Sequence, residues 1–242
     1  MRYISLFSGC GALDLGLERT GQFTPVAFAE VNTAARQVLA KHWTGVPNLG
    51  DVTKADYSTV EADMIVAGFP CQDLSNAGNR AGITGSRSGL FWEVVRAIRV
   101  VRPRVVMLEN VAALHDRDLG TVFGALAEVG YDANADCIPA SYVGAPHERD
   151  RTWIVAHAIG SEWREESYRR ALGRMGRIQQ SVPWERDWQS ALREFRGMDD
   201  GSAYRVDRID MIRNAVVVPL VEGIARAIAD ALSSPTAAGG GA

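Results

Sequence analysis

Short apolar runs that alternate with segments of helical periodicity constrain the fold of this chain more than any other feature of its sequence. Four runs of strand length cover residues 2–7, 25–30, 62–69 and 104–111. The segments between them, among them "NTAARQVLAKHW", carry apolar residues at helical spacing. Strands that alternate with helices predict an α/β domain built on a parallel sheet.

The second half of the chain keeps this alternation only in part. "LGTVFGALAEVGY" predicts a helix that ends near Gly130, and "RTWIVAHA" predicts a further strand. The stretch that follows is polar and rich in tryptophan, with no apolar run of strand length, and a C-terminal apolar helix comes after it. The sequence therefore predicts a main domain over residues 1–158 and 205–232, an insertion over 159–204, and a disordered tail over 233–242.

Composition excludes several classes of protein. The chain has 242 residues, 47% of them hydrophobic, which is enough for a full core. Cys10, Cys71 and Cys137 lie far apart without a CxxC pair, which argues against a disulfide scaffold and against a zinc site, so no metal is expected. No signal-peptide pattern and no bilayer-spanning segment is present, so we expect a soluble, intracellular protein without a membrane partner.

The net charge of the chain does not indicate whether it binds nucleic acid. The formal net charge is −3, yet Lys41 and Lys54 are the only lysines, so arginine supplies nearly all the positive charge. Arginine offers paired donors to phosphates and base edges. Genomic base composition explains the same bias at least as well.

The first chemical motif is a glycine turn in "LFSGCGALDLGLE", between a predicted strand and a predicted helix. Glycines there let backbone N–H groups and a helix N-terminus approach a ligand. Asp14 stands where the dinucleotide fingerprint has its third glycine. Glu30 ends the next strand, where an acid can hold ribose hydroxyls, and Asp51 can accept from an adenine amino group. These residues favour an adenosine ligand, although a plain turn with surface acids accounts for them equally well.

The second motif is "GFPCQDLS", which places Cys71 at the exit of an apolar run and before a glycine-punctuated polar loop. A structural cysteine more often lies inside such a run. A cysteine at a strand end, near helix N-termini and arginines, has an increased thiolate fraction. Cys71 is therefore a candidate nucleophile.

Taken together, "LFSGCGALDLG", "GFPCQDLS", "LENV", "APHERDRTWIVA" and "RNAVVVP" resemble, in order and spacing, the DNA cytosine-5 methyltransferase family. The resemblance covers nearly the whole chain except the insertion. It implies a Rossmann-like class I S-adenosylmethionine-dependent methyltransferase fold with a small inserted recognition region. It also implies S-adenosyl-L-methionine as cofactor, contacted by Phe7, Gly9, Cys10, Gly11, Glu30, Val31, Asp51, Val52, Pro70, Leu90, Asn214 and Val216.

The resemblance assigns four residues to catalysis. The Cys71 thiolate would add to C6 of cytosine, which makes C5 a nucleophile toward the methyl group. Glu109 would share a proton with the base, at N3 and the 4-amino group. Arg149 and Arg151, expected on one side of an extended segment, would contact the base and orient Cys71 or a phosphate.

The resemblance also explains the polar loop after Cys71. Cytosine C6 is hidden in a duplex, so the base must be flipped out and covered. The loop is expected to be the catalytic lid, and Gln72, Ser75 and Arg87 are expected to contact double-stranded DNA. The insertion at 159–204 occupies the place of the target recognition domain. Two positions depart from the family pattern, with His147 for glutamine and Arg213 for glycine.

Alternatives to DNA methylation remain at this point. An RNA cytosine-5 methyltransferase would share the catalytic motifs, and a non-catalytic DNA-binding relative would share the fold. A dinucleotide oxidoreductase is disfavoured by Asp14. The compact size suits a phage or prokaryotic modification system, and hence the cytoplasm of a prokaryotic cell or a phage-infected host. A monomer is the working expectation, and no motif fixes the oligomeric state.

Overall fold

The computed structural model describes residues 1–70, 89–145, 147–175 and 215–233. Six strands form one sheet in the order β2-β1-β3-β4-β6-β5. The strands are β1 (Arg2–Leu6), β2 (Thr24–Ala29), β3 (Met64–Gly68), β4 (Val105–Val111), β5 (Tyr131–Ile138) and β6 (Arg151–Ala158). The helices are α1 (Ala12–Glu18), α2 (Thr33–His42), α3 (Leu90–Val101), α4 (Ala113–Arg117), α5 (Leu119–Glu128), α6 (Glu165–Met175) and α7 (Val218–Leu232).

Strands β1 to β4 pair in parallel, as the alternation of strands and helices predicts. The prediction of a parallel sheet is wrong at β6, which lies between β4 and β5 and runs antiparallel to both. Only a short 3₁₀ turn, Ala140–Val143, is described between β5 and β6. A parallel pairing needs a crossover, usually an α-helix, over one face of the sheet, and the described part of this connection contains no α-helix, which fits the antiparallel arrangement.

Strand β5 was not predicted from the sequence. It has no apolar run, because Asp132, Asn134 and Asp136 interrupt it, and only its first and last side chains, Tyr131 and Ile138, are buried. It lies at the edge of the sheet and pairs along its whole length with β6. An edge strand of this kind is held by its backbone hydrogen bonds and does not need an apolar run.

The core has two layers, one on each face of the sheet. Alternate residues of each strand point to opposite faces, so Ile4 and Leu6 face α3 and α5, whereas Tyr3 faces α1, α6 and α7. A third, smaller cluster joins Phe28 of β2 to Leu39 and Trp43 around α2. Helices on both faces of a largely parallel sheet make the doubly wound α/β arrangement that the sequence predicts.

Helix α6 lies at the start of the predicted insertion and packs on the main domain. Tyr168 and Met175 are buried in the same cluster as α7, and the Arg164 N–H donates to the Ala231 carbonyl at 3.1 Å. The rest of the predicted insertion, from residue 176 onward, and the predicted tail after Ser233 fall outside the described residues. In the described part of the chain, no helix combines the length and apolar character needed to cross a membrane.

Gly16 provides a test of the α1–α7 packing. A Cβ at Gly16 would lie 2.4 Å from Cβ of Val221, whereas a Cβ at Gly124 in α5 would meet nothing within 4 Å. We expect Gly16→Ala to lower the free energy of unfolding by about 1–3 kcal/mol through overpacking. Gly124→Ala is the matched control and should raise it by about 0.5–1 kcal/mol through helix propensity. Urea unfolding measures both, and equal shifts of the two variants would contradict the close approach of α1 and α7.

Candidate functional site

A cavity of about 280 Å³ opens at the edge of the sheet where β1, β3 and β4 end. The carboxyl ends of parallel strands are the usual ligand site of open α/β sheets, because the loops that follow them converge there. The lining residues come from the glycine turn, the start of α2, the ends of β3 and β4, and the segment before α7. They are Phe7, Ser8, Gly9, Cys10, Ala12, Leu13, Glu30, Asn32, Ala35, Gly68, Glu109, Ala215 and Val216.

The glycine turn after β1 depends on left-handed backbone conformations. Gly9 and Gly11 have φ values of +54° and +80°, and Phe7 adopts φ +55° despite its side chain. A Cβ at Gly11 would lie 2.4 Å from the Trp43 ring. Both this contact and the positive φ therefore exclude larger residues at this position. The turn therefore brings the N-terminus of α1 to the cavity wall, with Trp43 packed behind it.

Glu30 ties the turn to the next loop. One carboxylate oxygen accepts from the Gly9 N–H at 2.8 Å, and the other accepts from the Asn32 N–H at 2.7 Å. A carboxylate oxygen can accept two hydrogen bonds, so each keeps acceptor capacity for a ligand hydroxyl. The structure thus brings together the glycine turn and the acid that the sequence predicts for ribose.

Sequence reasoning missed two asparagines at this site. Oδ1 of Asn48 accepts from the Glu30 N–H at 3.2 Å and from the Gly50 N–H at 2.8 Å, which joins the Glu30 loop to the Asp51 loop. Asn32 lines the cavity and caps α2 by accepting from the Ala35 N–H at 3.0 Å. The Asn-Thr start of α2 is a recognisable capping signal, whereas nothing local marks Asn48.

The predicted cofactor residues separate into three groups. Phe7, Gly9, Cys10, Glu30 and Val216 line the cavity. Asn214 lies outside the described residues. The other described residues of the set do not line the cavity, and they are Gly11, Val31, Asp51, Val52, Pro70 and Leu90.

Asp51 lies in the loop that follows Gly50, and its carboxylate is partly engaged. Oδ1 accepts from both the N–H and the hydroxyl of Thr53, at 2.9 and 2.8 Å. These hydrogen bonds hold the pKa of Asp51 below its usual value. Among the described residues, Oδ2 has no hydrogen bond. Asp51 is therefore ionised at neutral pH and keeps one oxygen as an acceptor.

Glu109 and Arg151 form the charged part of the site. Glu109 lies near the end of β4 and Arg151 begins β6, and the Arg151 Nε lies 2.8 Å from Oε1 of Glu109. Burial raises the pKa of Glu109, and the positive charges of Arg151 and Arg149 oppose that shift. The carboxyl therefore holds a proton more readily than an exposed glutamate does and remains paired when ionised.

The backbone at Arg149 is not extended as predicted, although the charge of Arg149, like that of Arg151, acts on Glu109. Its φ of +40° breaks the extended conformation that would place it beside Arg151. Its guanidinium donates to the Ala215 carbonyl at 2.9 Å, on the cavity wall. Burial lowers the pKa of Arg149, with a further decrease from Arg151. Arg149 therefore joins the β6 entry to the segment before α7.

Cys71 and the three predicted DNA contacts, Gln72, Ser75 and Arg87, lie outside the described residues. The chain that leads to Cys71 is well anchored, because the buried Asn110 amide donates to the Phe69 carbonyl at 3.0 Å. Gly68 is also paired with Glu109 in the sheet register. The entry to Cys71 therefore lies beside Glu109.

Asp14 lies behind the glycine turn and is completely buried next to Tyr3 and Ser5. Neither oxygen of its carboxyl has a hydrogen-bond partner of acceptable geometry among the described residues. Burial raises the pKa of Asp14 to about 7, and the nearby hydroxyls of Ser5 and Tyr3 moderate the shift. The acid that replaces the fingerprint glycine thus faces the core and not the ligand cavity.

No group of histidine, cysteine or acidic side chains within the described residues is arranged to hold a metal ion. The charges at the cavity are those of Glu30, Glu109 and the two arginines. The arrangement can therefore bind a nucleoside through the turn and Glu30, and can exchange a proton through Glu109.

Comparisons with known proteins show what this chain is similar to. Residues 1–199 match the model of the family described as C-5 cytosine-specific DNA methylase. The chain is 39% identical over 158 residues to the type II methyltransferase M.CviJI of Paramecium bursaria Chlorella virus IL3A, which covers 64% of this chain and 42% of that protein. It is 35% identical over 164 residues to the type II methyltransferase M2.BsuMI of Bacillus subtilis (strain 168), with coverage of 64% and 42%.

The chain thus spans 42% of the length of these two curated relatives. Among solved structures, it is similar to a mutant of Spodoptera frugiperda DNMT2, with a TM-score of 0.53 and 20% identity over 67% of this chain and 51% of that one. This similarity concerns the fold alone and confirms the predicted Rossmann-like methyltransferase architecture.

The buried Asp14 predicts a pH dependence of stability. Its carboxyl ionises near 3.8 in the unfolded chain and near pH 7 in the folded protein, so between these values unfolding releases a proton. The free energy of unfolding should therefore fall as pH rises, by up to about 1.4 kcal/mol per pH unit. Asp14→Asn should remove this contribution, and its advantage over the wild type should grow until about pH 7 and then level off.

Urea unfolding of wild type and Asp14→Asn, from about pH 5 to about pH 8, measures this difference. The exposed Asp230 in the last turn of α7 provides the control variant Asp230→Asn, which should follow the wild type. Parallel stability curves for wild type and Asp14→Asn would refute the assignment of a raised pKa.

Proposed function

Because this chain belongs to the family of C-5 cytosine-specific DNA methylases, we propose that it transfers a methyl group from S-adenosyl-L-methionine to C5 of a cytosine flipped out of double-stranded DNA. The ion pair between Glu109 and Arg151 carries this proposal. Its atoms lie 2.8 Å apart, and Glu109 also lines the cavity of the glycine turn. A largely buried acid beside a cation, next to a cavity for a nucleoside, suits the activation of a base.

The residues at the cavity fit an S-adenosyl-L-methionine molecule. Gly9 and the start of α1 offer a close approach to backbone, and Glu30 keeps acceptor capacity for the ribose hydroxyls. Phe7 and Val216 supply apolar surface. When bound, the cofactor supplies an electrophilic methyl group. We propose that the remaining predicted residues complete the site from around the cavity, namely Gly11, Val31, Asp51, Val52, Pro70, Leu90 and Asn214.

Cys71 is the proposed nucleophile. Its thiolate adds to C6 of the cytosine, the electrons shift to C5, and C5 takes the methyl group. The C5 hydrogen then leaves as a proton, and the Cys71–C6 bond breaks to restore the aromatic ring. Support comes from the chain just before Cys71, because Gly68 pairs with Glu109 in the sheet and the Phe69 carbonyl accepts from Asn110.

Glu109 and Arg151 are proposed to act on the base as a pair. A carboxyl whose pKa is raised by burial can donate a proton toward cytosine N3 when the thiolate adds. Arg151 keeps the resulting carboxylate stable and fixes its direction. Arg149 is proposed to hold the segment before α7 through the Ala215 carbonyl, so that the cofactor wall and the base site keep their spacing.

DNA contacts are proposed for Gln72, Ser75 and Arg87 in the loop after Cys71, and sequence recognition for residues 159–204. The named relatives are type II methyltransferases, which supports a role in DNA modification beside a restriction system, in the cytoplasm of a prokaryotic cell or phage-infected host. The alternatives of an RNA methyltransferase and of a non-catalytic relative are not favoured, because the matching family is one of DNA methylases.

The covalent step can be tested with a duplex that carries 5-fluorocytosine at the methylated position. Fluorine cannot leave as a cation, so the methylated base should stay bound to the enzyme as an adduct stable on a denaturing gel. The adduct should require S-adenosyl-L-methionine and Cys71, and mass spectrometry should place it on the Cys71 peptide. Cys71→Ser should form no adduct and should still bind S-adenosyl-L-homocysteine.

Cys137→Ser is the control for this experiment, because Cys137 is exposed on the edge strand β5. This variant should form the adduct at the wild-type level. An adduct on Cys10 or Cys137 would refute the role of Cys71. Methylation of the unfluorinated duplex without any adduct on the fluorinated one would refute the covalent mechanism.

Proton sharing by Glu109 can be tested separately. Glu109→Gln keeps the shape of the side chain but cannot supply the proton, so the single-turnover methylation rate should fall about a hundredfold to ten-thousandfold. The control is Glu128→Gln, at an exposed position in α5, which should keep the wild-type rate. A rate of Glu109→Gln within a few-fold of wild type would remove Glu109 from the mechanism.

A further inference from the structure

A second cavity lies at the β2 edge of the sheet, apart from the cofactor residues. One face of α2, from Thr33 to Ala40, forms one wall, and Phe28, Val46 and Asn48 complete the lining. Its volume is about 410 Å³, within the range of small-molecule sites, which is roughly 300–1,000 Å³. Among the described residues, this α2 groove shares no lining residue with the cavity of the glycine turn.

The α2 wall of the groove is polar and positively charged. Thr33, Arg36 and Gln37 are three or four residues apart and therefore lie on one face of the helix. Arg36 is the only charged residue among the described lining residues, and its guanidinium forms no ion pair with a described residue. Helix α2 itself contains no acid. An arginine without a counter-charge suits an oxyanion, which its paired donors can bind in two places.

The rest of the lining is largely apolar. Phe28 and Leu39 belong to the small buried cluster around α2, and Val46 packs against that cluster. Ala40 adds a short side chain to the wall, which leaves room above this surface. A molecule that fills the groove therefore needs an apolar body beside its charged head group, because both kinds of surface are offered together.

Asn48 connects the groove to the loop of the ribose acid. It lines the groove, and its Oδ1 accepts from the N–H groups of Glu30 and Gly50, at 3.2 and 2.8 Å. Its Nδ2 has no acceptor among the described residues. The amide thus keeps a donor for a ligand oxygen while its own oxygen holds the Glu30 loop.

Phe28 provides a second connection between the two cavities. Its ring centroid lies 5.5 Å from that of Trp43. Trp43 in turn packs behind Gly11 of the glycine turn. Side chains that line or support the groove are therefore in contact with both loops of the cofactor cavity.

We propose that the α2 groove is a second ligand site, for a small organic molecule with an oxyanion head group and an apolar body, and that its occupation strengthens cofactor binding. The head group is a carboxylate or a phosphate bound by Arg36, and the body lies on Phe28 and Val46. A ligand that fixes Asn48 also fixes the Glu30 loop, so both ligands favour the same arrangement of loops. The coupling rests on the proposed function, because the coupled ligand is S-adenosyl-L-methionine, whereas the site does not.

NMR titration of the full chain with phenyl phosphate and with phenylacetate tests the site. Each anion should bind with a Kd of about 1 mM or tighter, as expected for about ten non-hydrogen atoms. The largest shifts should occur at the amide signals of Phe28, Arg36 and Asn48. Benzylamine carries the same ring with a positive charge and should not bind. The two anions together show which head group is preferred.

Three variants at exposed positions of α2 locate the bound anion. Arg36→Met should weaken the affinity for phenyl phosphate about tenfold or more, because a charged donor is lost. Ala40→Phe fills the groove without a change of charge and should have the same effect. Lys41→Met is the matched control, because Lys41 is a cation of the same helix that does not line the groove, and it should keep the wild-type affinity.

Calorimetric titration with S-adenosyl-L-homocysteine tests the coupling. Saturating phenyl phosphate should strengthen the affinity for S-adenosyl-L-homocysteine about fivefold or more. S-adenosyl-L-homocysteine should strengthen the affinity for phenyl phosphate by the same factor, because coupling between two sites is reciprocal. Arg36→Met should lose this gain and should bind S-adenosyl-L-homocysteine alone as the wild type does.

Several results would overturn the proposal. If neither anion binds, or if benzylamine binds equally well, the groove is not an oxyanion site. Wild-type affinity in both Arg36→Met and Ala40→Phe would place the anion elsewhere on the protein. Binding in the groove without a change in the affinity for S-adenosyl-L-homocysteine would remove the coupling. A wild-type protein that binds phenyl phosphate but no S-adenosyl-L-homocysteine would instead refute the proposed function and leave the site in place.

Discussion

The antiparallel pairing of β6 with β4 is the constraint on which the charged site depends. Because β6 runs against β4, its first residue lies beside the last residues of β4, and Arg151 reaches Glu109. In a parallel arrangement the start of β6 would lie at the opposite edge, about 20 Å away along strands of this length. The one departure from a parallel sheet therefore creates the ion pair of the candidate active site. It also gives Glu109, whose side chain is only 12% exposed, the partner that burial of a carboxylate requires.

The ligand cavity depends on a second set of constraints, which act through backbone groups. The acid Glu30 binds the N–H groups of the two loops that flank it, and Asn48 extends this connection to the loop of Asp51. Trp43 packs against Gly11 from behind. These contacts fix three loops relative to one another before any ligand binds. Because the loops are already ordered, ligand binding loses less free energy to loop ordering than it would at a site with mobile loops.

The sequence predicted the parts of the molecule that have a local signal. The apolar runs of β1 to β4, the glycine turn, Glu30 and the acid of β4 were all recognisable, because strand burial and turn geometry leave a pattern in adjacent residues. Strand β5 was not predicted, because this edge strand is held by its backbone pairing with β6 and has no apolar run. The direction of β6 was also predicted wrongly, since an apolar run carries no information about whether a strand pairs in parallel or antiparallel. Asn48 and Arg96 bind backbone groups far away in sequence, so no local pattern marks them.

Asp14 explains why the dinucleotide fingerprint is incomplete without weakening the case for an adenosine ligand. In that fingerprint the third glycine allows the helix to approach the strand closely. Here the position carries an acid that points into the core beside Tyr3 and Ser5, so α1 and β1 enclose a polar group instead of meeting through a glycine. The close approach occurs two residues later, where Gly16 meets Val221 of α7. Helix α1 is thus fixed by α7 on one side, while the first two glycines keep the turn open to the cavity. Close packing of the helix depends on Gly16, whereas the shape of the turn depends on Gly9 and Gly11. The turn can therefore keep the geometry that faces the ligand although Asp14 replaces the third glycine.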